Sequence, residues 1–115
     1  MDEEIVYDKF YRGRELIIKH MSTQFINYFC GYIALKDKDL RVIGNPRNEE
    51  SLIFDRVFDY FYGEPTFLGE LFGNDTIYVG FDTAHAGMET VTKEDCIKAL
   101  KNTVDLLAIE ARWAI

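Results

Sequence analysis

The sequence predicts an α+β domain: a mostly antiparallel sheet with a C-terminal amphipathic helix packed on one face. Three observations carry that expectation. Short runs of β-branched and aromatic residues alternate with turn-forming residues along most of the chain. Within Ile77–Asp82, apolar Ile77, Val79 and Phe81 alternate with Tyr78, Gly80 and Asp82, the period of two of a strand with a buried face. Near the C-terminus the period changes, and Ile97, Leu100, Val104, Leu107, Ala108 and Ala111 recur three or four apart, as one side of a helix does.

Taken in order, Glu4–Tyr11 reads as a strand, Arg12-Gly13-Arg14 as a turn and Leu16-Ile17-Ile18 as the returning strand of an opening hairpin. Met21–Phe29 has no clear period, and both a helical face of Phe25, Ile26 and Phe29 and a loop closing over the core fit it. Cys30–Leu35 is a strand, Lys36-Asp37-Lys38-Asp39 a charged turn, and Leu40–Ile43 a short strand continuation. Gly44–Asn48 breaks regular structure, and Asn48 or Ser51 is placed to cap a short helix from Glu49 to Phe58. Tyr62-Gly63-Glu64-Pro65 is a turn, Thr66–Leu71 a strand, and Gly73-Asn74-Asp75 a hairpin-type connection into Ile77–Asp82. Thr92 followed by Asp95 has an N-cap and near-capping-box arrangement and starts a helix running from about Lys93 to Arg112.

A chain of 115 residues fits one domain, residues 1–115, with a real core, and 48% hydrophobic content argues against disorder. Thirteen basic against twenty acidic residues give a net charge of −7, which disfavours direct nucleic-acid binding and favours a basic protein partner or a shielded small ligand. Cys30 and Cys96 form no CxxC pair, so neither a zinc knuckle nor a redox motif is indicated, and buried free thiols are expected. No apolar run approaches membrane-spanning length and no leader pattern is present, so no membrane association and a cytoplasmic location are expected.

The candidate site lies where the Ile77–Asp82 strand ends. Asp82 beside His85 is an acid–imidazole pair able to fix a tautomer and raise basicity, and Thr83 supplies a hydroxyl. Asp82, His85 and Thr83 are therefore the catalytic candidates if the chain is an enzyme. No GxSxG elbow or other nucleophile completes a triad, and strand-end Asp and His residues more commonly bond loop amides. His20, His85 and Asp82 are a weak metal set, and neither metal nor cofactor is expected. Asp55, Asp59, Glu64 and Glu70 could gather near the Gly63 turn, although solvated charges explain them as well. The aromatics Phe54, Phe58, Tyr60, Phe61, Tyr62 and Phe67 are mostly core candidates, and those flanking Gly63 are candidates for a stacking wall. Tyr78, read as facing outward, and Trp113 are candidates for a protein interface. The ligand-binding candidates are Tyr62, Gly63, Thr66, Phe67, Asp82, Thr83 and His85.

Three blocks carry a resemblance: Cys30-Gly31-Tyr32-Ile33; Gly63 with Thr66-Phe67; and Gly80-Phe81-Asp82-Thr83-Ala84-His85-Ala86-Gly87. Together they resemble a family of small, mostly uncharacterised phage and prophage proteins, over a span from about Cys30 to the C-terminal helix. The last block is the most specific. Members carry His-Gly-Gly, then an aliphatic residue, Thr and an aromatic where this chain has Tyr62-Gly63-Glu64-Pro65-Thr66-Phe67, and an Asp in place of Met88. A histidine and an acid are thus absent here, which favours binding over catalysis. The resemblance implies a small phage-type accessory protein, of the kind that counters host defences by sequestering a host protein or a nucleotide-like signal. A hydrolase or nuclease-like enzyme using Asp82 and His85 is the first alternative. A structural or homo-oligomeric domain without ligand is the second.

Overall fold

The structure, a computed structural model, describes residues 1–41 and 56–111. The N-terminal hairpin pairs β1 (Asp2–Tyr11) with β2 (Arg14–Ser22) through a two-residue turn. Arg12 and Gly13 both have positive φ, +52° and +77°. That is the combination whose twist matches antiparallel strands in a tight hairpin. The Met21–Phe29 stretch ends β2, turns over residues 23–26 and enters β3 (Asn27–Ala34). Three polar contacts hold the turn. Thr23 Oγ1 accepts from the amides of Phe25 (3.2 Å) and Ile26 (3.0 Å), and Thr23 N–H donates to the Ile26 carbonyl at 2.8 Å.

After β3 the expected charged turn is the start of a single helical turn, α1 (Asp37–Leu40), so Leu40 is not a strand continuation. Asp39 explains the difference. Its carboxylate is fully buried, accepts two bonds from the Arg14 guanidinium (2.8 and 2.7 Å) and one from the Lys36 amide (2.9 Å), and folds the segment back onto the start of β2. The calls on residues 42–55, including the strand continuation, Phe54, Asp55 and most of the capped helix, lie outside the described residues, as does Trp113. The last part of that expected helix, Arg56–Phe58, is a 3₁₀ turn. β4 (Phe67–Glu70) and β5 (Ile77–Asp82) form a second hairpin, and β5 is inserted between β3 and β4 to give the order β1-β2-β3-β5-β4, antiparallel throughout.

α2 (Lys93–Ala111) packs across β2 and β3. Its start is the capping box read from the sequence: the Asp95 amide donates to Thr92 Oγ1 (3.1 Å) and the Thr92 amide to Asp95 Oδ2 (2.9 Å). Cys96, Ala99, Leu100, Val104 and Leu107 bury against Leu16, Ile18, Ile33, Val79 and Phe81. Tyr11 and Arg12 reach Asp105 at 2.9 and 3.0 Å and tie the hairpin to the helix.

Both faces of the central strands are closed. Tyr78, expected to face outward, is buried at 1% exposure, and its hydroxyl donates to Glu15. The Phe72 ring stands edge-on to it, with centroids 5.8 Å apart. Register between β3 and β5 is set by two glycines and two rings. Gly31 pairs with Phe81 and Tyr32 with Gly80. A Cβ on Gly31 would stand 2.8 Å from the Phe81 ring, and one on Gly80 would stand 2.5 Å from the Tyr32 ring and 2.7 Å from the Gly31 carbonyl. Each ring thus occupies the place of its neighbour's missing side chain, on opposite faces of the sheet.

Candidate functional site

β5 carries Asp82 to the end of the sheet, and the chain leaves the strand at Thr83. Asp82 Oδ1 accepts from the Ala84 amide at 3.1 Å, a local bond that turns the chain into the 83–89 loop. Asp82 Oδ2 accepts from the Thr66 hydroxyl at 3.0 Å, joining the entry of β4 to the exit of β5. His85 Nε2 lies 3.3 Å from Asp82 Oδ1, and the His85 side chain remains 43% exposed. Gly63, at φ +75°, lies against the imidazole: a Cβ there would be 3.5 Å from two ring atoms. The loop continues as two successive turns, with Met88 N–H donating to the His85 carbonyl and Val91 N–H to that of Met88. Thr66, Asp82, His85 and Gly63 are therefore neighbours, brought together from positions up to 22 apart in sequence (85 − 63).

The remaining candidates are elsewhere or engaged. Thr83 is buried; its hydroxyl accepts from the Phe29 amide (2.9 Å) and donates to the Phe29 carbonyl (3.3 Å), while its own amide donates to that carbonyl. Those bonds dock the loop on β3 and leave the hydroxyl no lone proton to offer a substrate. Tyr62 packs on Phe81 on the helix side of the sheet, centroids 5.9 Å apart, whereas Phe67 stands edge-on to Tyr32 on the other side, at 5.4 Å. The two rings flanking Gly63 consequently do not form one stacking wall. Of the other aromatics in that stretch, Phe58 and Phe61 are core and Tyr60 is exposed. Glu70 accepts from the Asp75 amide within its own hairpin, and Asp59 and Glu64 are exposed. His20 sits in β2 with its ring 5.3 Å from that of Phe29, and no group of three His, Cys, Asp or Glu side chains among the described residues is placed to hold a metal. Burial pushes the Cys30 thiol up to about 11 and the Cys96 thiol to about 12, so neither is a thiolate nucleophile at neutral pH.

A cleft of about 510 Å³ opens beside His85. One wall is the loop, with Thr83, Ala84, His85, Ala86 and Glu89; the other is the β2–β3 turn and the start of β3, with Phe25, Ile26, Asn27 and Tyr28. Phe25 is 87% exposed and Ile26 43%. Sequence reasoning did not assign Phe25, Ile26, Tyr28 or Glu89 to the site. The available signal was Thr23, a turn-forming hydroxyl two residues before an adjacent Phe and Ile, which marks apolar side chains lifted on a turn rather than buried on a face.

Chemically, the pair offers a solvent-open imidazole beside a carboxylate, next to an aromatic and aliphatic lip. Among the described residues, the hydroxyl bonded to the pair is that of Thr66, which donates to Asp82. No helix of the described residues is long and apolar enough to cross a membrane. No family model, no curated protein and no solved structure matches the chain.

Proposed function

We propose that this chain is a small binding protein that grips a protein partner at the sheet-end cleft between the β2–β3 turn and the 83–89 loop. The observation that carries the reading is Phe25, which stands almost fully exposed on a turn fixed by three hydrogen bonds, at the lip of a cleft whose other wall is held by Asp82 and Thr83. A rigid exposed aromatic beside a pocket is the kind of anchor that supplies most of the energy of a protein interface. Among the described residues, the cleft lining includes no lysine or arginine to meet a phosphate, which supports a protein occupant over a nucleotide-like signal. The resemblance of Gly80–Gly87 to phage and prophage proteins supports an accessory, anti-defence role against a bacterial host.

The test is affinity capture from bacterial lysate with the native chain, Phe25→Ala and His85→Ala in parallel, alongside thermal-shift measurements against a panel of cyclic nucleotides. The expected result is a protein retained by the native chain and lost with Phe25→Ala. Equal capture by all three chains overturns the reading, and a nucleotide-induced rise in Tm that His85→Ala abolishes transfers the cleft to a small ligand.

A second reading is favoured by one observation, the approach of His85 Nε2 to a carboxylate already fixed by Thr66 and Ala84. In a hydrolase this pair would activate water as a general base, since the Thr83 hydroxyl is committed to Phe29. Turnover of a phosphodiester or ester substrate that vanishes in His85→Ala with the fold intact would establish it; turnover unchanged by that substitution removes it.

A further inference from the structure

A second surface, independent of the cleft, lies along β1. This strand is one edge of the sheet, and no strand among the described residues covers its outer side. The tight turn determines which backbone groups face outward. With a two-residue turn of positive φ at Arg12 and Gly13, the flanking pair Tyr11–Arg14 exchanges backbone bonds, and alternation assigns the same to Lys9–Leu16 and Tyr7–Ile18. Asp8 and Phe10 therefore direct their N–H and C=O groups away from β2, and both residues are exposed. The register shift at Val6 bounds this regular run on its N-terminal side.

The charge on the edge is mainly acidic. β1 contains Asp2, Glu3, Glu4 and Asp8 against Lys9 alone, and Glu3 is already paired with Lys19 at 2.6 Å. Asp8 and Phe10 share a face with Glu15 and Ile17, their cross-strand partners. The Tyr78 hydroxyl bond favours the Glu15 carboxylate, yet burial and the nearby Asp8 together hold its carboxyl above the usual range. Beside it Phe10, 74% exposed, and Glu15 line a hollow of about 340 Å³ that reaches Tyr78, with Lys36 on its far side toward Gly13.

We infer that β1 is a strand-addition site for an extended, lysine- or arginine-bearing segment of a partner protein. The incoming strand bonds the outward backbone groups of Asp8 and Phe10, and one of its cationic side chains lies over the Phe10 ring toward Asp8 and Glu15. A second copy of this chain is the poorer occupant, because the two-fold pairing that bonds both Asp8 and Phe10 sets Lys9 against Lys9 and joins two molecules that each carry −7.

The probe is a labelled ten-residue peptide alternating lysine and threonine, titrated against the full chain by fluorescence anisotropy, with a glutamate–threonine peptide as control. Amide hydrogen exchange at Asp8 and Phe10 is followed in the same samples. The expected result is binding of the lysine peptide alone with slowed exchange at both amides. Asp8→Lys should weaken it about tenfold through like-charge repulsion. Phe10→Pro, which removes an outward N–H without breaking a bond to β2, should remove the protection. Phe25→Ala and His85→Ala should leave both readouts unchanged, so that failure of the cleft reading does not count against this one. Absence of binding, binding without amide protection, or protection that tracks self-association in sedimentation overturns the inference.

Discussion

Replacing Asp39 with alanine should be among the most damaging single changes available in the described part of this protein. The side chain is fully buried, and three donors converge on it: two from Arg14, itself 4% exposed, and the Lys36 amide. Asp39→Ala leaves a guanidinium with no counter-charge in the interior, and breaking a buried pair from one side costs about 3–5 kcal/mol. Dividing by a urea m value of about 1.5 kcal/mol/M places the fall in the unfolding midpoint at about 2–3 M. Urea denaturation followed by circular dichroism measures it. The control is the double replacement Arg14→Met with Asp39→Ala, measured beside Arg14→Met alone so that the cycle closes; it removes both charges and should recover part of the loss, since apolar replacement of a buried pair is often neutral. The decisive quantity is the interaction term of the cycle. A single-mutant loss under about 1 kcal/mol, the range of an exposed pair, would show that Arg14 reaches water once its partner is gone and would refute the reasoning.

Three further outcomes follow from the same contacts. Gly80→Ala should cost about 1–3 kcal/mol in urea denaturation, because the new methyl meets a backbone carbonyl that cannot swing aside. Asp95 accepts from the Thr92 amide, which lowers its carboxyl below the ordinary range. A lowered folded-state value contributes stability that is present above the unfolded value, near 3.8, and is lost as pH falls through the folded one; Asp95→Asn should flatten the stability profile in that acidic window and leave its neutral-to-basic shape alone. With burial raising Cys30 to about 11 and Cys96 to about 12, an aromatic disulfide reagent at pH 8 should titrate no thiol in the folded chain and two in denaturant; rapid reaction of either before unfolding would contradict the buried placement.

How far each feature could be read from the sequence depended on whether local chemistry decides it. α2 was legible to within a residue at its start because Thr92 and Asp95 satisfy each other's backbone donors without help from the rest of the fold. The Arg12-Gly13 turn and the alternation through Ile77–Asp82 were legible for the same local reason. Met21–Phe29 was not, since Phe25 and Ile26 are apolar and exposed and so contradict the periodicity that burial imposes. α1 was missed because the partner of Asp39 that bends the chain, Arg14, lies 25 residues upstream. Tyr78 was assigned to the wrong environment because alternation separates two faces but does not say that the second is also closed, here with Phe72 over the ring and Glu15 on the hydroxyl. At the site, the Asp82–His85 approach follows from three-residue spacing, whereas Thr66 and Gly63 join it only through β4 pairing with β5. Phe67 and Tyr62 were grouped as neighbours in sequence; the 62–66 loop leaves Tyr62 on Phe81 at the helix side, while β4 places Phe67 against Tyr32 on the other face.

The reciprocal glycine and ring packing between β3 and β5 acts as an alignment key for the distant loop. Sliding one strand by a single residue would drive Phe81 and Tyr32 onto occupied backbone on the wrong faces, so intermediate offsets are closed and the two strands engage in one position. Because β5 runs straight into Thr83 and β3 begins at the Phe25 turn, the gap between the two lips is gauged by a lock several residues away from either. Outward side chains such as Phe25 can therefore be exchanged, retargeting what is held there, while the aperture itself is kept.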